Sequence, residues 1–276
     1  MQVPKKRFSR YADVMRDAWF YIWRRPLAFL PMVYRLLGIF IIGLFVLFIV
    51  WLLAGKTGLV TDFSRNSKAA VIILFVFLLL LFEFHVKSVQ ALLFSTIATH
   101  KKVEIIPLFK KSFSLYRRVA YTMSMLILVG AVIASLIYGL FILSTSLAGV
   151  DSWTPVVMVL VGIIAILGFA LALIFCAWFS FWLPIIVFEH KSPFETLKQC
   201  VLLLRFDGRF VWPIYLIKLA MILGIGAILT MTSAILKGQL GQVPLWWDVA
   251  HFILNCILMT WMSLYTFRAF VVRYEK

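Results

Sequence analysis

The sequence predicts an all-α, polytopic integral membrane protein: six transmembrane helices in three hairpins, each preceded by a cytoplasmic amphipathic helix. Three observations carry that prediction. Apolar residues fill 64% of the 276 positions and charged residues only 14%, with a mean hydropathy of +1.03, whereas soluble domains run near half apolar and a quarter charged. Six apolar stretches are each long enough for a hydrocarbon core that needs about 20 helical residues. A basic leader recurs ahead of each pair of stretches, at shifts of 93 and then 88 residues.

The leaders overlie one another as Ala18-Trp19-Phe20-Tyr21-Ile22-Trp23-Arg24-Arg25, Lys111-Ser112-Phe113-Ser114-Leu115-Tyr116-Arg117-Arg118, and Gln199-Cys200-Val201-Leu202-Leu203-Leu204-Arg205-Phe206. They divide one membrane domain, 1–276, into pseudo-repeats of about 10–99, 101–188 and 190–272. No polar stretch is long enough to add a soluble domain.

In the first leader, 10–25, a helix puts Tyr11, Val14, Met15, Ala18, Trp19 and Ile22 on one side, with Asp13, Arg16, Asp17 and Arg24 opposite. The first two apolar stretches follow, 36–54 and 69–99. The second exceeds 30 residues, or about 45 Å of helix, so it must tilt, kink or protrude. In the second leader, Ile105, Ile106, Leu108, Phe109, Phe113 and Tyr116 share one arc, and Lys110, Lys111, Ser114, Arg117 and Arg118 the other. Both leaders read as interfacial helices, apolar face toward lipid and basic face toward phosphates. Stretches 119–147 and 155–188 come next, the latter again overlong.

The third leader opens with Ser192-Pro193-Phe194-Glu195, a capping box with proline at the first helical position. A helix should start at Ser192, and Asp207-Gly208 is its expected stop. Its weaker one-sidedness predicts packing against the bundle. Stretches 211–236 and 249–272 complete the set. The loops 55–68, 148–154 and 237–248 are too short to fold alone, and Trp153, Trp246 and Trp247 beside them suit the headgroup layer.

Orientation follows from the cations. Of 27 Lys and Arg, 21 fall on the side of the N-terminus and leaders and four in the opposite loops, with Lys87 and Lys218 inside stretches. The positive-inside bias therefore puts both termini and all leaders in the cytoplasm. It also accounts for the net charge of +16, through attraction to anionic lipid instead of nucleic acid, because the cations alternate with spans and form no patch with solvent-facing aromatics. Lys5, Lys6 and Arg7 precede mixed, charged residues instead of an apolar h-region, so no cleavable signal peptide is expected.

Candidate lipid-headgroup or partner contacts are Arg24, Arg25, Lys110, Lys111, Arg117, Arg118, Arg205 and Arg209. The bland alternative is that the leaders are only topological anchors. Inside the stretches the candidate polar residues are Glu83, Lys87, His251 and Asn255. Glu83 precedes Lys87 by four, the favourable order for a helical ion pair, which reads as a self-neutralising pair near the cytoplasmic end or as part of a polar path. His251 and Asn255, also four apart, suit an interhelical tie better than a substrate site. His85 lacks a second ligand at helical spacing, and Lys218 can snorkel. His100-Lys101 and His190-Lys191 recur at a shift of 90, which suggests a structural corner.

Cys176, Cys200 and Cys256 share no metal or disulfide spacing. GxSxG, HExxH, P-loop and dinucleotide patterns are absent from the sequence, so neither enzyme activity, cofactor nor metal is expected. Gly162, Gly168, Gly224 and Gly226 read as close-packing positions between helices.

The run Leu183-Pro184-Ile185-Ile186-Val187-Phe188-Glu189-His190-Lys191-Ser192-Pro193-Phe194-Glu195-Thr196-Leu197-Lys198, continuing to Arg205 and Arg209, resembles the YciC-like family of bacterial inner-membrane proteins. The last stretch, from Asn255 through Phe267-Arg268-Ala269-Phe270, is similar to that family's C-terminus. The architecture also resembles membrane domains fused to some glycerophosphodiester phosphodiesterases. Cys200 departs from the family, which usually has a small hydroxyl residue there, and the resemblance does not extend to the Trp-rich first leader. The resemblance implies a bacterial inner membrane; it implies no substrate and carries over no catalytic residue. The expectation is a non-enzymatic membrane component acting through anionic lipids or protein partners at the cytoplasmic face. The alternative is a small-solute transporter or channel with a polar path near Glu83 and Lys87.

Overall fold

The computed structural model describes residues 6–57, 65–147, 155–241 and 243–274, and those residues are helical apart from short connections, without a strand among them. The loop 148–154 and Trp153 lie outside the described residues. Six helical segments are long and apolar enough to cross a membrane: Pro26–Leu52, Ala69–Ala98, Ile105–Leu140, Val161–Glu189, Pro193–Gln239 and Leu245–Arg273. Large apolar side chains such as Leu47, Ile73 and Ile166 stand exposed along them, as in a chain whose solvent is hydrocarbon. This is an all-α, multi-pass membrane architecture.

The helices are α1 (Lys6–Arg24), a 3₁₀ turn (Pro26–Phe29), α2 (Leu30–Thr57), α3 (Arg65–Ala98), α4 (Ile105–Leu147), α5 (Pro155–Trp178), α6 (Trp182–Glu189), α7 (Pro193–Leu240) and α8 (Leu245–Tyr274). Only the first leader is set apart from its span, because Pro26 lacks the N–H that would continue α1 and disfavours helix at Arg25. The second leader is not a separate helix. From Leu108 to Val129 the sequence holds neither glycine nor proline, so leader and span run as one 43-residue helix. The third begins as expected: the Ser192 amide and hydroxyl both donate to Glu195 Oε2, at 3.2 and 3.0 Å, and the Glu195 amide donates back to Ser192 Oγ at 3.3 Å. Its expected stop is instead a kink. Asp207 leaves helical geometry (φ −131°, ψ 40°) and the helix resumes. Of the two overlong stretches, α3 stays one helix of 34 residues, whereas the other breaks after Trp178 into α5 and α6.

Two compact units are present, Met1–Ala120 with Ala220–Lys276, and Tyr121–Leu219. In the first, α3 is central: Val86, Val89, Ala91, Leu93, Phe94 and Ile97 are buried, with α2 and α8 packed on it and α1 on α8. Val14, Ala18 and Ile22 form the buried stripe of α1, so its apolar face meets a neighbouring helix. The corner after α3 closes as a Schellman motif: the Lys101 amide donates to Thr96 O and the His100 amide to Ile97 O, each at 3.0 Å. His100 takes the left-handed position (φ 57°). In the second unit, Phe181, Ile185, Ile186, Val211 and Ile214 form the core. There His190 repeats the left-handed cap (φ 51°) at the end of α6. Histidine is among the few residues that visit this region readily. The recurrent His-Lys pair is thus the same backbone turn used twice.

Gly168 faces Ile137 closely, where a Cβ would stand 3.0 Å from Ile137 Cγ2. Gly162, Gly224 and Gly226 meet nothing within 4 Å among the described residues, so close packing accounts for one of these four glycines only.

Candidate functional site

The charged centre of the first unit is built where α2 runs along α3. Gly38 on α2 lies directly against the Phe82 ring, which occupies the space a Cβ would need. That close approach brings Arg35, one turn before Gly38, to Glu83, next to Phe82. Arg35 Nε donates to Glu83 Oε2 at 2.9 Å and a terminal guanidinium nitrogen donates to the other carboxylate oxygen, the bidentate geometry in which such pairs are strongest. Lys87 Nζ lies 3.8 Å from Glu83 Oε1 and donates to Gln90 Oε1 at 3.1 Å. The Glu83–Lys87 pair expected from spacing is therefore a cluster of three, and the closer partner of Glu83 comes from another helix. Two cations share one carboxylate.

This cluster borders a crevice of about 240 Å³. Its back wall is α3, through Val86, Lys87, Gln90 and Phe94; its flanks are Met32 and Arg35 of α2 and Met259, Thr260 and Ser263 of α8. Both flanking helices pack on α3 while scarcely touching each other, and the 3₁₀ turn reaches α1, α2, α3 and α8. Ala28 of that turn also lines the crevice. Met259, 56% exposed, stands at the rim.

Between Glu83 and Lys87 in the chain but on another face of α3, His85 is buried among aromatic rings. Phe113 lies 4.5 Å from it centroid to centroid, with Tyr34, Phe109 and Tyr116 around it. Neither ring nitrogen has a hydrogen-bond partner among the described residues.

The other expected residues fall in several places. Arg24 is exposed, its guanidinium 5.9 Å from the Phe20 ring. Arg25 donates to the Lys101 carbonyl at 2.9 Å, and Tyr21 hydrogen-bonds His100, so α1 stitches the corner after α3. Lys110, Lys111, Arg117 and Arg118 are exposed on α4. In the second unit Arg205, over the Phe206 ring at 5.5 Å, and Arg209 are exposed on α7. On α8, His251 is half-buried and Asn255 exposed. Neither forms a side-chain hydrogen bond among the described residues, and neither lines the crevice.

Sequence reasoning missed Arg35, Gln90, Thr260 and Ser263. Arg35 stands one residue before the first apolar stretch and was grouped with the leader's cations. Its pairing across 48 residues follows no helical spacing. The available signal was the Gly38 gap beside it, one turn into the same helix. Among the described residues no three His, Cys, Asp or Glu side chains cluster as metal ligands.

No protein-family model matches the chain, and comparison with curated proteins and with solved structures finds no match either.

Proposed function

We propose that the chain is a non-enzymatic component of a bacterial inner membrane that acts through anionic lipids or a protein partner at the cytoplasmic face. In this reading the six spans form three hairpins, both termini are cytoplasmic, and the leaders lie at the interface. The observation that carries it is the pairing of exposed aromatic and aliphatic side chains with exposed cations at the leaders. Trp19, Phe20 and Trp23 are exposed beside Arg24, and Ile106 and Phe113 are exposed beside Lys110 and Lys111. Aromatic and basic side chains together suit the headgroup layer, where each cation near an anionic surface contributes about 1 kcal/mol. The resemblance of the third repeat to the YciC-like family supports the bacterial inner membrane.

The transport reading draws support from the convergence of Arg35, Lys87 and Thr260 from three helices. Against it, His251 and Asn255, the polar residues that a path along α8 would use, stay outside the crevice.

The test is reconstitution of the full chain into nanodiscs of phosphatidylcholine with and without phosphatidylglycerol, following quenching of Trp19 and Trp23 fluorescence by bilayer-depth quenchers. The expected result is deeper placement with phosphatidylglycerol, reversed by salt and by replacing Lys110, Lys111, Arg117 and Arg118 with Gln. Depth indifferent to lipid charge would exclude lipid as the partner. Flux of a small solute through liposomes containing the protein would favour the transport reading.

A further inference from the structure

We propose that the crevice between α2 and α8 seats the phosphate group of an anionic phospholipid, entered sideways from the bilayer and held by Arg35, Lys87 and the hydroxyls of Thr260 and Ser263.

Charge comes first. Arg35 and Lys87 face a single carboxylate, so the cluster keeps an excess positive charge inside a membrane span, where an uncompensated charge is costly. A guanidinium has more N–H donors than one carboxylate accepts, and an ammonium has three. Donors therefore remain on both cations after Glu83 and Gln90 are served. A phosphate diester carries the missing negative charge and several acceptor oxygens.

The hydroxyls point the same way. In these helices Ser and Thr side chains commonly turn back on their own backbone: Ser88 donates to Phe84 O at 2.9 Å, Thr96 to Leu92 O at 2.8 Å and Thr266 to Met262 O at 2.8 Å. Thr260 and Ser263 line the crevice and form no such bond among the described residues, although Thr260 is only 6% exposed. Both hydroxyls therefore remain able to donate to the acceptor oxygens of an occupant of the crevice.

Space and access select the source of the phosphate. About 240 Å³ equals the liquid volume of roughly eight waters, enough for a phosphate and its ester oxygens. Ala28 of the 3₁₀ turn is part of the crevice wall. Met259, which lines the crevice from α8, is exposed, as are Leu36 and Ile39, next to Arg35 and one turn beyond it on α2, an apolar surface on which acyl chains would lie. Arg35 is five residues into α2, about 8 Å along its axis, a shallow depth suited to a headgroup.

This site rests on the lipid reading above only in requiring anionic lipid in the leaders' leaflet. The two separate by salt: leader contacts are exposed and screened, whereas those in the crevice are not. Full-length protein in mild detergent is loaded with phosphatidylglycerol and washed at high salt, and retained lipid is counted by native mass spectrometry. The wild type is expected to keep a single phosphatidylglycerol. Lys87→Gln, and independently Thr260→Val with Ser263→Ala, should weaken its retention about tenfold, the loss of a charge-assisted hydrogen bond. Lys110→Gln with Lys111→Gln should leave it unchanged. The hydroxyl variants preserve volume, so they decide the matter if Lys87→Gln fails to fold. Wild type that keeps no lipid, or crevice variants that keep as much as wild type, overturns the proposal and leaves the leader reading standing. Displacement of the lipid by millimolar inorganic phosphate also overturns it, in favour of a water-fed anion site. Salt-proof retention combined with bilayer depth indifferent to lipid charge would sink the leader reading alone.

Discussion

Glu83 is the single acid between two cations, and its removal should be felt far more than theirs. Glu83→Gln leaves Arg35 and Lys87 facing each other in an apolar surround. The expected destabilisation is about 2 kcal/mol, lower than for a fully buried pair because these side chains remain 23–33% exposed. Adding Arg35→Gln should recover most of that loss, a coupling measurable by a double-mutant cycle in SDS-induced unfolding. If the two changes simply add, the residues do not act as a pair. A backbone prediction sits at His190. Its left-handed φ of 51° excludes β-branched side chains at low cost, so His190→Val should lose about 1–2 kcal/mol while His190→Gly stays near neutral. Equal melting temperatures for the two variants would count against the cap.

At the scale of elements, the capping box at Ser192 should govern the first turn of α7. Ser192→Ala is expected to cost about 1 kcal/mol, read as faster hydrogen exchange at the amides of Glu195 and Thr196 with little change beyond the Asp207 kink. Exchange unchanged at those amides would remove the box from the account. This element, like the six apolar stretches and the twice-used His-Lys corner, was readable from the sequence because its signal is local: a few residues at fixed spacing decide it. What was not readable depends on partners elsewhere in the chain. The break between Trp178 and Trp182 falls in the aromatic run Trp178-Phe179-Ser180-Phe181-Trp182, and its signal was Pro184, which cannot donate to the Ser180 carbonyl and so sits in the first turn of α6; the buried Phe181 ring, 5.3 Å from Phe210, accompanies the turn. The fusion of leader and span in α4 reverses the expectation of a separate surface helix, since amphipathicity says which face meets lipid but not where a helix ends. Asp207-Gly208 carries a genuine stop signal, yet Arg209 onward resumes the helix, and the signal survives only as a bend. For the crevice, Glu83 and Lys87 were visible as charges out of place. Arg35 was hidden by standing at the border of its stretch, and Thr260 and Ser263 by resembling any helix hydroxyl.

At the scale of the whole chain, the distribution of Lys and Arg makes the orientation testable without any ligand. Single cysteines replacing Lys110 and Lys237, in a background lacking Cys176, Cys200 and Cys256, should label from opposite sides of intact membrane vesicles, Lys110 from the cytoplasmic side. Labelling of both from the same side would break the three-hairpin topology. The packing of α1 has a further consequence. Val14, Ala18 and Ile22 are buried, Trp261 donates to the Met15 carbonyl at 3.2 Å, and Trp19 and Trp261 meet edge to face. The docking surface for α1 thus belongs to the C-terminal half of α8, made more than two hundred residues later. At about 5–20 residues per second, a ribosome takes tens of seconds to supply it. During biogenesis α1 must wait on the membrane surface with its apolar stripe in lipid, and its docking is a late event. Chains halted before residue 245 should leave α1 open to protease, whereas completed chains should protect it, so that assembly is complete only when the two distant helices meet.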